Sequence, residues 1–302
     1  MDNIQISKVC GLCAGCKNAI ETAEKQVQFS RVALFKEIVH NKNVNKKLTN
    51  LGIRTIEDLK DASKDECVIL RAHGEPLESY DFITKNNLQF VDCTCPNVTK
   101  IHELVNEFSN NGYKIIIIGK YGKSNGKIHP EILGTIGWCK SEPILIEDEE
   151  DLQKINPAIG EKLYLVCQTT FNEAKADLLI QKIKSICKDQ KAELIINKSI
   201  CNAQKMINIF SSELAKECDV MIVVGGKNSS NSIELFNNIK NITNAIFIED
   251  IFDWESELKR NNIKISKDTK IGITAGASTL KEELVTLKNL IEKRKEILWK
   301  SM

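Results

Sequence analysis

A chain of 302 residues with 42% apolar side chains is long enough for two or three domains, each with a core of its own. A formal net charge of +1, with no basic stripe and no run near the ~20 apolar residues a bilayer requires, excludes nucleic acid and membrane as expected partners. The N-terminus MDNIQISKVCG has neither a charged nor an apolar leader region. This points to the reducing cytoplasm, where 11 cysteines read as buried thiols, metal ligands or catalytic groups rather than disulfides.

Along the chain, short apolar and β-branched runs bounded by Gly, Asn, Asp or Pro predict twelve strands. They are Ile4–Val9, Val32–Phe35, Ile53–Ile56, Cys67–Arg71, Leu88–Val91, Lys114–Ile118, Ile144–Glu147, Leu163–Val166, Glu193–Ile196, Val220–Val224, Ala245–Ile248 and Lys270–Thr274. Several are apolar at consecutive positions, such as IIII at 115–118 and MIVV at 221–224, as parallel strands are when both faces are covered. Helical spacing appears between them at Ala14–Val27, Val98–Asn110, Glu173–Ile186, Ala203–Lys216, Ile233–Ile239 and Leu280–Lys295. The Lys-rich stretches Lys42–Lys47 and Lys288–Lys295 read as solvated helix faces. The alternation predicts an α/β fold with parallel sheets.

One junction occurs three times. Strands Ile4–Val9, Leu88–Val91 and Glu193–Ile196 each lead to a cysteine (Cys13, Cys95, Cys201) and then to a helix. The separations are 82 and 106 residues, with four strands per interval if Ile4–Val9 completes the third set. This predicts three small α/β domains sharing one centre: 14–95, 96–199, and 200–302 completed by the N-terminal strand within 1–13. Ligands of open parallel sheets bind beyond the carboxyl ends of the strands. Cys13, His40, His73, Cys95, His129, Thr169, Cys201, Ser229 and Ser278 each follow a predicted strand within about a dozen residues. The remaining histidine, His102, lies inside the helix after Cys95 and is expected at the surface.

The spacing of Cys10, Cys13 and Cys16 alone leaves a metal site and a thioredoxin-like motif both open. A structural zinc site would offer a second CxxC, and a bacterial ferredoxin run would need Cys where Ile20 stands. Cys93 and Cys95, in VDCTCPNVTK, form a second concentration, with Pro96 suited to a first helical turn. One thiolate from each domain would leave a cubane cluster with an iron free of protein, able to bind a substrate oxygen and to deliver electrons. VVGGKNSSNS at 223–232 and AGAS at 275–278 place small and hydroxylated residues between strand and helix, which suits an anion. A nucleotide triphosphate loop is disfavoured, because Met221 stands where its first glycine would fall, and no GxGxxG is present.

Nine segments in order make the chain resemble the LytB/IspH family, the hydroxymethylbutenyl diphosphate reductases that end the non-mevalonate (MEP) isoprenoid route. They are GLCAGCKNAI, KEIVHNK, RAHGEP, DCTCPNVTKIH, IHPEILGTIG, CQTTF, ICNA, VVGGKNSSNS and GITAGAS, running from about residue 4 to residue 285. The resemblance implies a pseudo-threefold trefoil of three four-stranded sheets around one [4Fe–4S] cluster held by Cys13, Cys95 and Cys201. It implies that His40, His73, His129, Ser229, Ser230, Asn231 and Ser278 bind the substrate's diphosphate. Glu131 matches the proton donor and Thr169 its partner near the substrate hydroxyl, whose oxygen would bind the open iron. The implied products are isopentenyl and dimethylallyl diphosphates. Electrons would come singly from a ferredoxin or flavodoxin.

The chain departs from the family in places. The usual GHxGHPE loop reads GKYGKSNGKIHPE at 119–131, longer by about six residues and without its first histidine. Gln204 stands where Thr is usual, Cys16 replaces a common Val, and Leu280 follows Ser278 and Thr279 where Pro is common. The rival readings are another trefoil cluster enzyme resembling quinolinate synthase, and a non-catalytic metal-binding or redox-sensing protein using Cys10, Cys16 and Cys93. The histidines, HPE and SSNS favour diphosphate reduction.

Overall fold

The computed structural model describes residues 3–39, 41–123, 126–227, 229–277 and 279–300, without the side chains of 230 and 297–300. In chain order it begins with β1 (Ile4–Ile6) and α1 (Ala14–Gln26). β2 (Arg31–Phe35), α2 (Lys42–Asn50), β3 (Arg54–Ile56), β4 (Glu66–Leu70), α3 (Leu77–Lys85) and β5 (Gln89–Asp92) follow. Next come α4 (Pro96–Asn110), β6 (Lys114–Ile118), α5 (Pro130–Ile136), β7 (Ile144–Ile146), β8 (Lys162–Cys167), α6 (Glu173–Asp189) and β9 (Glu193–Asn197). The last stretch holds α7 (Asn202–Glu217), β10 (Val220–Val224), α8 (Ser230–Lys240), β11 (Asn244–Ile248), α9 (Trp254–Arg260), β12 (Ile271–Ala275) and α10 (Lys281–Lys300).

All twelve predicted strands are present, and all pairings are parallel. They form three four-stranded sheets ordered β3-β2-β4-β5, β7-β6-β8-β9 and β11-β10-β12-β1. The three orders are the same once β1 is read as the fourth strand of the last sheet. That closure is why a chain whose last strand is β12 still completes its third sheet. β1 is shorter than the predicted Ile4–Val9, because the backbone turns at Ser7–Cys10, where the Cys10 thiol donates to Ser7 O at 3.1 Å.

The chain forms two compact units. One comprises residues 1–20, 37–51 and 202–302, and the other residues 21–36 and 52–201. The second unit shows why the tetra-isoleucine strand is legible as parallel. Ile116 and Ile118 pack on one face with Ala176, Leu179 and Ile183 of α6, while Ile115 and Ile117 pack on the other with Ile101 and Val105 of α4. All four isoleucines are at most 1% exposed. Burying one such side chain is worth about 1.5–3 kcal/mol, so truncation to alanine costs about 2–5 kcal/mol. Helix α6 starts where the Asn172 side chain accepts from Lys175 N at 3.0 Å. In the first unit, β10 and β12 are sandwiched in the same way. Ile222 and Ile273 pack with Leu284, Leu287 and Ile291 of α10, and Met221 and Val223 with Ile207 and Leu214 of α7.

His102 is a correction. It is 2% exposed, not at the surface, and its ring stacks on Trp138 with centroids 5.3 Å apart. Burial pushes its pKa down to about 4. Val98, Ile101 and Val105 lie on the same stripe of α4, so spacing by three and four already puts His102 inside. Helices α3, α5 and α9, too short for a strong periodic signal, were not predicted. Among the described residues no helix is long and apolar enough to cross a membrane.

Candidate active site

The half-buried Cys13, Cys95 and Cys201 occupy equivalent positions, each in its own strand-to-helix junction. Each directly precedes the first residue of a helix, Ala14 of α1, Pro96 of α4 and Asn202 of α7. Each amide is anchored two residues past the end of the neighbouring strand. Cys13 N–H donates to Ala277 O at 3.4 Å, Cys95 N–H to Ala72 O at 3.0 Å, and Cys201 N–H to Thr169 O at 2.7 Å. β12, β4 and β8 end at Ala275, Leu70 and Cys167, so the three acceptors are equivalent.

A thiol at a helix start meets N–H groups with no partner in the helix, and these favour its thiolate. The Cys13 thiol is drawn down to about 6, above all by a hydrogen bond from the Cys16 side chain. Burial opposes this, and the N–H groups of Cys16, Gly15 and Cys13 itself assist it. The Cys201 sulfur accepts from Asn97 Nδ2, on the first turn of α4, at 3.5 Å. Gly11, at φ +79°, lets the chain enter this position in the first unit: a Cβ there would lie 2.8 Å from Thr279 O.

Structure also separates Cys95 from its neighbour. Cys93 is 3% exposed and its thiol is pushed up by burial. Cys67, Cys167, Cys187 and Cys218 are core thiols shifted the same way, and burial likewise raises Cys10.

In the second unit the predicted polar residues gather beyond β4, β6 and β8. Glu131, in the first turn of α5, is 3% exposed. Its Oε1 accepts Thr169 N–H and its Oε2 accepts the Thr169 hydroxyl, both at 2.6 Å. Burial raises its pKa to about 7; the two Thr169 hydrogen bonds favour the ionised form but do not win. His129 caps α5, and its Nδ1 accepts Glu131 N–H at 3.2 Å, so the neutral ring carries its proton on Nε2. The His73 and His129 rings meet edge to face, 5.6 Å between centroids. His73 stands in a loop tied by a buried Arg71–Glu75 ion pair of 2.9 Å and by Trp138 Nε1 donating to Glu75 O at 3.0 Å.

In the first unit, Ser229 caps α8 and accepts from Ser232 N–H at 3.4 Å and from the Ser232 hydroxyl at 3.1 Å. Asn231 is half-buried on the first turn of α8. Ser232, not singled out in sequence, is fully buried and sits so close to Gly276 that a Cβ there would lie 2.1 Å from its hydroxyl. Gly225 is similarly close to the same hydroxyl, which a Cβ there would meet at 2.4 Å, so both glycines pack against one serine. His40, Ser278 and the Ser230 side chain lie outside the described residues.

One more residue escaped sequence reasoning. Gln168 is 2% exposed, accepts Lys120 N–H at 2.9 Å and donates to the Thr170 hydroxyl at 2.9 Å. Its place at the end of β8 within CQTTF was the available signal. Gln204 donates to Asn208 Oδ1 at 3.3 Å, and its buried Oε1 has no partner among the described residues.

The model of the family described as LytB protein matches residues 4–292. The chain belongs to the LytB family. A 4-hydroxy-3-methylbut-2-enyl diphosphate reductase of Clostridioides difficile (strain 630) is 36% identical over 294 residues, 95% of this chain and all of that one. The reductase of Helicobacter pylori (strain P12) is 34% identical, over 91% of this chain and 94% of its own. Among solved structures, an E-1-hydroxy-2-methyl-but-2-enyl-4-diphosphate reductase from Plasmodium falciparum superposes with TM-score 0.79 at 30% identity, covering 95% of this chain and 87% of that one. A structure described as (E)-4-hydroxy-3-methyl-but-2-enyl diphosphate reductase, the terminal enzyme of the non-mevalonate pathway, gives TM-score 0.72 at 31% identity, covering 96% and 99%.

Proposed function

We propose that this LytB-family chain reduces 4-hydroxy-3-methylbut-2-enyl diphosphate to isopentenyl and dimethylallyl diphosphates. The observation that carries the reading is one chain of contacts. Glu131, a buried carboxyl held near neutrality, is gripped by the backbone and hydroxyl of Thr169, whose carbonyl in turn takes the Cys201 N–H. A proton donor is thereby tied to a thiol at a helix start, a pairing that neither a zinc site nor a dithiol sensor needs.

The thiols fit an iron–sulfur cluster. Three half-buried sulfurs stand at equivalent helix starts, one already drawn toward thiolate, and thiolates are the ligands such clusters take. Cys13, Cys95 and Cys201 would hold it. A [4Fe–4S] cluster with three thiolates supplies single electrons and, at its open iron, Lewis acidity.

The protein's own part is binding and proton delivery. His73 and His129, with His40, Ser229, Ser230, Asn231 and Ser278, would bind the diphosphate, and the Nε2 proton of neutral His129 is the donor an anion needs. Glu131, protonated at and below about pH 7, would turn the poor hydroxide leaving group into water. Thr169 holds that carboxyl by two hydrogen bonds, one from a backbone group that cannot rotate away. Cys13, Cys95 and Cys201 would each stand at a boundary between the domains 14–95, 96–199 and 200–302 with 1–13, where a strand passes into a helix. Electrons would come from a ferredoxin or flavodoxin in the cytoplasm, since the sequence has no nicotinamide fingerprint.

Binding of the hydroxymethyl diphosphate to anaerobic, cluster-loaded protein, measured by calorimetry, tests this assignment. His73→Ala and His129→Ala should each weaken binding on the order of tenfold or more, as a hydrogen bond to a charged group is worth about 1.5–3 kcal/mol. Unchanged affinity in both would place the diphosphate elsewhere.

A further inference from the structure

The segment 119–131 is longer than the short family motif it resembles, and its first residues, Lys120–Lys123, are bound tightly to the protein. Glu147 follows β7, is 7% exposed, and collects three loop amides on one oxygen. Its Oε2 accepts N–H of Tyr121 at 3.0 Å, Gly122 at 3.2 Å and Lys123 at 3.2 Å. Successive N–H groups converging on an anion form a backbone nest, here turned on a carboxylate of the same chain.

A second carboxylate supports the first. Asp151 accepts Glu147 N–H at 2.7 Å and the Tyr121 hydroxyl at 2.5 Å. Despite its burial, these bonds and those from Lys154 and Asp148 N–H hold its carboxyl well below the usual range. Lys154 also donates to the Tyr121 hydroxyl at 2.8 Å, and Lys123 pairs with Asp148 at 2.7 Å. At the loop's far end, His129 N–H donates to Lys120 O at 3.1 Å, and His129 caps the turn that carries Glu131.

We propose that Glu147 is a positioning residue: by gathering the amides of Tyr121, Gly122 and Lys123 it makes residues 120–123 a rigid strut, against which His129 N–H donates to Lys120 O, and so seats His129 and Glu131. The roles of those two residues rest on the function proposed above; the strut itself does not. Removing the carboxylate leaves three loop amides without their acceptor, and the loop must rearrange to find water. A displacement near 1 Å at the acid costs on the order of 100-fold in rate.

The test compares Glu147→Ala and Glu147→Gln with wild type, anaerobic and cluster-loaded, with rates expressed per cluster. In Glu147→Ala the amides of Tyr121, Gly122 and Lys123 should lose hydrogen-exchange protection and the His129 ring resonance should shift. KM should rise and kcat fall, each on the order of tenfold or more, because His129 and Glu131 are displaced together. Glu147→Gln keeps an acceptor oxygen and should recover most of both. Wild-type kcat and KM in Glu147→Ala would overturn the proposal. So would a fall in total activity that only tracks lost cluster, or a Gln variant no better than Ala. Should Glu147→Ala fail to fold, Tyr121→Phe must show the same changes at smaller size, and their absence would overturn the proposal. If wild type itself does not turn over, the reduction reading fails, while amide exchange and the His129 resonance still decide for or against the strut.

Discussion

Replacing Glu131 by Gln removes a charge that the fold resists and a proton that the reaction uses, so stability and activity should move in opposite directions. Holding a carboxyl at about 7 rather than 4.5 disfavours its ionised form in the folded state by on the order of 3 kcal/mol. The pKa is raised on folding, so the wild type carries no penalty below pH 4.5, loses stability progressively as pH rises to about 7, and stays penalised above that. Glutamine has no such charge. Its oxygen can still accept Thr169 N–H, and its amide can donate to the Thr169 hydroxyl. Thermal melts of both proteins should therefore diverge as pH rises from about 4.5 to 7, Glu131→Gln melting several degrees higher at pH 8. Its turnover should drop on the order of 100-fold or more, with cluster content and substrate binding kept. A melting difference that does not change with pH would refute the burial argument. Wild-type turnover would show that the acid lies elsewhere.

Thr169→Val keeps the backbone hydrogen bond to Glu131 but loses the hydroxyl one, which favours the ionised form. Turnover should fall about tenfold and the alkaline limit of the pH–rate profile should move up, and a downward shift would contradict the assignment. Cys95→Ser should lose iron, whereas Cys93→Ser, Cys10→Ser and Cys16→Ser should keep wild-type iron and sulfide on chemical analysis. Loss of iron with any of those three would break the ligand assignment. Buried His102, with its pKa pushed down to about 4, should cost stability as pH falls from about 6.5 to 4, when the unfolded chain takes up a proton first. His102→Leu should remove that acid sensitivity in melts between pH 7 and 4, and an unchanged acid profile would disprove it.

The strands were readable because parallel, doubly covered strands are apolar at every position, as Ile115–Ile118 and Val220–Val224 are. The closure of the third sheet by β1 was readable as well, through the threefold strand–Cys–helix order. What stayed hidden was tertiary. Cys93 and Cys95 differ by two positions in sequence, and only packing shows that one is sealed and the other stands at a helix start. His102 was misplaced because a polar residue on an apolar stripe was read by its chemistry rather than its phase. The raised pKa of Glu131 depends on burial, and the partners of Glu147 and Ser232 depend on loops whose course no periodicity encodes. Glu131, Thr169 and the histidines were found through the resemblance, as spacing alone placed them only near strand ends.

The central claim is reductive loss of the allylic hydroxyl, and the most direct measurement is anaerobic incubation of cluster-loaded protein with 4-hydroxy-3-methylbut-2-enyl diphosphate and a chemical reductant. Isopentenyl and dimethylallyl diphosphates should appear over many turnovers, and Glu131→Gln should abolish most of them. A full cluster, ample reductant and no isoprenoid diphosphate would contradict the account.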